Sequence, residues 1–313
     1  MKGYRLGTIK IDNSNQEIKL NGAINESEFL VLSEHTKNLF AFKSQQELHS
    51  IFIINFLEFN NLFEQTIHKL LKLKLDRALL DENPKELKFI SRNANRLFLN
   101  FLSSGRTFLD HTETYLKRKY GKQSPEFIKF KNETTKLYDN SFEYRFMYKL
   151  RNYAQHCGLP INNITFSINN EIQENVYNRK YNLNPTFIKQ ELLDSYEEWG
   201  TQLKNDFKQK PEEISVISVI KEYYKNIDEL SQTLLAIEED SLQTSIDYLE
   251  NFTKRFGELE QKGNIQLCVF FNFELSKPDS YENSKFETYK LPLNLITEIK
   301  KKLQPTRGHS ACG

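Results

Sequence analysis

Glycine and proline are scarce in this chain, at 11 and 8 of 313 residues, and cysteine occurs only three times. Few glycines and prolines mean few tight turns, which speaks against a turn-rich all-β fold and for long helices. Cys157, Cys268 and Cys312 are odd in number and far apart. They build neither a disulfide framework nor a four-cysteine zinc site, and a reducing compartment suits them best. The longest apolar cluster, around Ile51 to Ile54, is broken by Asn55 and Glu58. That falls well short of the ~20 apolar residues of a membrane-spanning helix. The opening MKGYRLGTIKID has no apolar segment of the kind a signal peptide needs. The expectation is a cytoplasmic protein that does not engage a membrane. Neither sign of charge dominates: 43 basic against 42 acidic residues leave +1. A globally basic nucleic-acid coat and an acidic tail protein are both excluded, so any polyanion must be held by a local patch.

Chemical motifs are mostly missing as well. There is no phosphate loop, no GxGxxG, no GxSxG, no HExxH and no CxxC. The six histidines, at 35, 49, 68, 111, 156 and 309, show no metal-ligand spacing. The expectation is an activity with no metal and no cofactor.

What is present is bulk. Twenty-four Phe and 15 Tyr supply core material although only 38% of residues are hydrophobic. Residues 1–45 read as β-rich: Tyr4, Leu6, Ile9, Ile11, Ile18 and Leu20 lie in short runs around a turn-like DNSNQ, and Glu28–Leu32 forms a second extended run. From Ser44 the period changes to three and four residues, through Leu48, Phe52, Phe56, Phe59, Phe63 and Ile67. This predicts a helix over 46–80. After a break at Asp81–Pro84 a second helix runs to 120, with Ser-Ser-Gly at 103–105 as its kink candidate and a stop at Gly121. Ser124-Pro125-Glu126 opens a third to 138. Asp139-Asn140-Ser141 starts a fourth to Cys157, stopped by Gly158 and Pro160. Residues 46–160 thus read as an antiparallel four-helix bundle. Beyond it, 161–260 reads as a hairpin (Ile164–Ile168 with Val176–Leu183) followed by helices, one of them opened by Pro185 and running to 208, the rest over 212–259. Residues 261–313 read as a strand at 266–273, a helix at 293–303 and an aperiodic tail. The fold class is mainly α, of the α+β type.

The fourth helix is the sharpest feature. On a wheel of 100° per residue, Phe142, Phe146, Leu150, Tyr153 and Cys157 share one stripe, the predicted core face. Arg151, Tyr144, Gln155, Tyr148, Asn152, Arg145 and His156 fill the other side, which is rich in Arg, Tyr, Asn, Gln and His where an ordinary solvated face is rich in Lys and Glu. Arg and Tyr are types enriched at interfaces. Asn152 and His156 are four apart, a spacing at which Asn152 can orient the imidazole.

The stretch Arg151-Asn152-Tyr153-Ala154-Gln155-His156 resembles the R-x4–6-H motif of the HEPN superfamily, with a polar residue after the Arg and the motif late in a helical bundle. The resemblance covers about residues 46–160. It implies a metal-independent endoribonuclease of a defence or toxin–antitoxin system, acting as a homodimer that joins two motifs in one cleft. An antitoxin or activating partner protein is implied with it. Arg151 would bind phosphate, His156 would transfer protons and Asn152 would orient them. The physical chemistry is compatible. An Arg holds a phosphate bidentately, and a His near neutral pKa moves the 2′-OH proton. RNA-binding candidates are Tyr144, Arg145, Tyr148, Gln155, Arg106 and His111. Tyr153 lies on the core stripe.

The motif itself is loose. It occurs a second time at Arg106–His111, without the Asn and in mid-helix. There the alternatives are a pairing of Asp110 and His111 inside the bundle, or a second helix lining the same cleft. Arg151 and His156 also have a plainer reading, as a surface Arg and a helix-end His complementing the helix dipole. Lys117–Lys119 reads as dipole complementation, Lys69, Lys72, Lys74 and Arg77 as a solvated face, and Trp199 as core. Two rival functions remain: a non-catalytic HEPN-like scaffold or RNA- or partner-binding protein, and a helical partner protein unrelated to RNA.

Overall fold

The structure is a computed structural model that describes residues 3–12, 15–73, 84–173, 176–256, 265–274 and 285–304. Within these residues the chain is mostly helical, with eight α-helices and two antiparallel sheets. It divides into two compact units, Met1–Ser44 with Leu235–Gly313, and Gln45–Leu234. No described helix is long and apolar enough to cross a membrane.

The first unit is built on a four-stranded antiparallel sheet. Strands β1 (Tyr4–Asp12) and β2 (Asn15–Ile24) form a hairpin. Strand β6 (Ile265–Glu274) pairs with the other edge of β1, and β7 (Lys285–Lys290) closes the sheet. Ile9, Cys268, Phe270 and Phe273 pack together, while Phe29 stacks on Tyr4 with centroids 4.4 Å apart. Burial pushes the Cys268 thiol up to about 11. Phe29 belongs to helix α1 (Glu26–Leu73), which begins twenty residues earlier than its periodicity predicts. The reason is a capping box: the Asn25 Oδ1 accepts from the Glu28 N–H at 2.9 Å, and a Glu28 carboxylate oxygen accepts from the Asn25 N–H at 3.0 Å. Once that turn is fixed, Glu28–Leu32 continues as helix rather than strand. A last helix, α8 (Leu293–Leu303), lies where the sequence places it. The expected tail, with His309 and Cys312, lies outside the described residues, as do Lys74, Arg77 and the predicted helix end at 74–80.

In the second unit the bundle helices follow the expected order. After α1 come α2 (Pro84–Tyr120), α3 (Pro125–Asn140) and α4 (Phe142–His156). The capping signals act as read. The Ser124 hydroxyl accepts from the Phe127 N–H, and the Ser141 hydroxyl from the Tyr144 N–H, both at 3.1 Å. Gly121 ends α2 at φ +95. Helix α2 continues through 103–105. Gly105 is needed there for closeness, since a Cβ would sit 2.9 Å from the Tyr223 hydroxyl and 3.1 Å from the Phe52 ring.

After the bundle, β3 (Asn163–Gln173) and β4 (Val176–Ile188) form the expected hairpin, but β4 runs past Pro185. Thr186–Ile188 pair with a short strand β5 (Glu213–Ser215), so the chain stays extended where Pro185 reads as a helix start. The helical stretch becomes α5 (Lys189–Ser195) and α6 (Thr201–Gln209), followed by the long α7 (Val216–Thr253). An aromatic core joins these elements. Phe146 of α4 lies 5.3, 5.9 and 5.5 Å from the rings of Phe187, Trp199 and Phe207, and Trp199 is fully buried. Asn95, itself buried, fastens the chain beyond α4: its amide donates to the Ile161 carbonyl at 2.6 Å and accepts from the Ile161 N–H at 3.1 Å.

Phe146→Ala removes the ring at the centre of this cluster. The expected loss is about 3–5 kcal/mol, the usual cost of a large-to-small change in a packed core. It is read by urea unfolding followed through Trp199, the single tryptophan. A loss below ~1 kcal/mol contradicts this packing.

Candidate functional site

Helix α4 is packed on more than one side, and this decides the fate of its polar residues. Its apolar stripe of Phe142, Phe146, Leu150 and Tyr153 is buried as predicted. Cys157 is not: it is exposed and caps the helix, its N–H donating to the Tyr153 carbonyl at 2.8 Å. Two further residues expected to face RNA are buried instead. The Arg145 guanidinium forks onto Asp206 Oδ2 of α6 at 2.9 and 2.7 Å and also donates to the Tyr138 carbonyl. Tyr144 is only 4% exposed and packs towards Tyr223 of α7. Neither presents a surface to a polymer, which corrects that part of the expectation. Its physical cause is a second and third packing partner, α6 and α7, that a single-stripe wheel does not include.

Helices α2 and α4 run antiparallel. Asn95 is bonded to Ile161, while eleven residues further along α2 the Arg106 guanidinium sits 4.7 Å from the Tyr148 ring centroid. Between them lies a cleft lined by Arg106, Tyr144, Met147, Tyr148, Arg151 and Tyr223, among others. The two arginines of the two R-x4-H matches therefore line one cleft. Its cavity is about 10 Å³, space for roughly a single water. A larger anion would lie across its mouth.

Arg106 is also held by Asp110, with Nε 2.9 Å from Oδ2 and Nη2 2.7 Å from Oδ1. Burial pulls its pKa down, but Asp110 and Tyr148 outweigh that and leave it raised. Tyr148 is 38% exposed and packs edge-on against Tyr138 at 5.7 Å. Arg151 is half-buried.

The histidines are not brought together. His156 and Gln155 are exposed in the last turn of α4, and His111 is exposed on α2. Counting 1.5 Å per residue away from the Arg106–Tyr148 contact in opposite directions, His111 and His156 are about 20 Å apart along the helix axes. Asn152 is half-buried, and the Tyr196 phenol, its pKa raised by burial, feels the Asn152 side chain as a smaller opposing influence. Tyr223 is the wall residue that sequence reading misses. It arrives from α7, 72 positions after Arg151, and no local signal marks it. Among the described residues no group of three or more His, Cys, Asp or Glu is placed to hold a metal ion.

The chain is thus an α+β protein with a two-arginine, tyrosine-walled cleft between antiparallel helices. Comparison with family models, with curated proteins and with solved structures finds no match.

Burial raises the phenol pKa values of both Tyr144 and Tyr223. The unfolded chain ionises such phenols near pH ~10, so above that value it binds fewer protons than the native state. Stability from these groups is full below pH ~10 and falls as pH rises beyond it. Unfolding at stepped alkaline pH should show this fall, and it should flatten in the Tyr144→Phe, Tyr223→Phe double variant. An unchanged slope in that variant contradicts the burial of the two hydroxyls.

Proposed function

We propose that this chain is a metal-independent endoribonuclease of the HEPN type. One observation carries the reading: Arg106 of α2 and Arg151 of α4 line the same cleft beside an exposed Tyr148, and the last turn of α4 exposes His156. Two guanidiniums converging on one opening suit a phosphodiester, which accepts bidentate hydrogen bonds and gains charge on its oxygens during transfer. Tyr148 offers a ring on which an unpaired base can stack, and Gln155 extends the polar rim.

In this reading the 2′-hydroxyl oxygen attacks the adjacent phosphorus, and the P–O5′ bond breaks. The products are a 2′,3′-cyclic phosphate and a 5′-hydroxyl. His156 takes the 2′-hydroxyl proton, and a second acid returns a proton to the leaving 5′ oxygen. His111 lies about 20 Å from His156 along the helix axes, so the two cannot serve one phosphate together. The second group is therefore His156 of another copy, as a homodimer provides by symmetry. The setting in defence or a toxin–antitoxin pair, with an antitoxin or activating partner, comes from the family resemblance alone. The near-zero net charge favours a selective or conditionally activated enzyme over a general RNA binder.

A second reading has its own support. Asp110 already occupies the Arg106 fork, and a cleft of this size takes no nucleotide into its interior. Both features suit a non-catalytic scaffold or an RNA- or partner-binding module.

Cleavage of total RNA and transfer RNA in EDTA separates the two. Nuclease activity predicts fragments ending in cyclic phosphate, with His156→Ala lowering the rate about 10²–10⁴-fold and Arg151→Ala about 10²–10³-fold. No cleavage by concentrated dimeric wild type supports the scaffold instead.

A further inference from the structure

Asp110 stands one helical turn beyond Arg106, and its two carboxylate oxygens contact two nitrogens of the guanidinium fork at 2.9 and 2.7 Å. A phosphate would use the same fork in the same bidentate manner. Asp110 is about half exposed and Arg106 about a third exposed, so the pair sits at the mouth of the cleft rather than in the core. Exposed pairs at this spacing favour the closed arrangement by only about twofold. A ligand phosphate that also reaches Arg151 can therefore displace the carboxylate.

We propose that Asp110 is a built-in competitor for the RNA phosphate, holding Arg106 in a self-neutralised state until a ligand bridges Arg106 and Arg151. This rests on the reading of that cleft as a phosphate site, and it assigns a regulatory role to Asp110, one of the four residues between Arg106 and His111. Competition by a tethered carboxylate is selective. It weakens binding of an anion that meets Arg106 alone more than binding of a backbone that engages both arginines.

The test is binding of a fluorescein-labelled single-stranded RNA, with every protein carrying His156→Ala so that no RNA is consumed. Asp110→Asn keeps the side-chain shape and removes the charge. It should tighten binding about threefold at low salt, and the gain should shrink as salt rises. Adding Arg106→Ala should abolish the gain. Glu113→Gln removes an acid from the same helix that pairs with Lys131 rather than with Arg106, and it should change affinity by less than ~1.5-fold. Equal tightening in the Asp110 and Glu113 variants overturns the proposal, because net charge alone would then explain it. So does unchanged affinity in Asp110→Asn, or no binding by either protein. Trp199 fluorescence checks that each variant is folded. Because the readout is binding, an Asp110 effect in a protein that never cleaves RNA removes the nuclease reading and keeps the competitor. Cleavage without an Asp110 effect does the reverse.

Discussion

The rotation of helix α4 about its own axis is the constraint on which the site depends. Arg145, 4% exposed, is locked to Asp206 of α6 and to the Tyr138 carbonyl at the end of α3. On the other side Phe146 and Tyr153 are wedged against Phe187, Trp199 and Tyr196. A buried guanidinium stripped of its partner typically costs about 3–5 kcal/mol, towards the lower end here because the Asp206 side chain is 26% exposed. The two contacts leave α4 one orientation. In it Tyr144, Tyr148 and Arg151 face α2, where Arg106 meets them.

That orientation separates the chemistry into a part assembled within the chain and a part that is not. The two arginines converge because α2 and α4 are antiparallel and cross near Arg106 and Tyr148. The same antiparallel run drives His111 and His156 to opposite ends. A single imidazole cannot hold the 2′-hydroxyl proton and protonate the leaving oxygen at once. Under the proposed mechanism the second imidazole would come from another copy, whereas anion binding at the arginine pair needs only one.

Much of the bundle is legible in the residues themselves. Ser124-Pro125, Ser141 and Gly121 mark helix ends through local hydrogen bonds and a positive φ, and these signals depend on nothing far away. Errors arise where a distant segment decides. Pro185 stays in a strand because Glu213–Ser215 pairs beside it. Arg145 and Tyr144 are buried because Asp206 and Tyr223 arrive 61 and 79 positions later. Glu28–Leu32 differs: its determinant is local, an Asn25–Glu28 capping box ahead of an apolar run that by itself reads equally well as strand or helix. Of the candidate site, Arg106, Tyr148 and Arg151 are brought to one cleft, while the burial of Tyr144 and Arg145 depends on the tertiary fold.

In the proposed site Arg106 and Arg151 act on one phosphate. A double-mutant cycle tests it most directly. Single-stranded RNA binding would be measured for Arg106→Ala, Arg151→Ala and the double variant in the His156→Ala background. If the two share a phosphate, the double loss falls short of the product of the single losses by about threefold or more. Losses that simply multiply would mean that the two arginines act at separate places, and the cleft would not be a binding site.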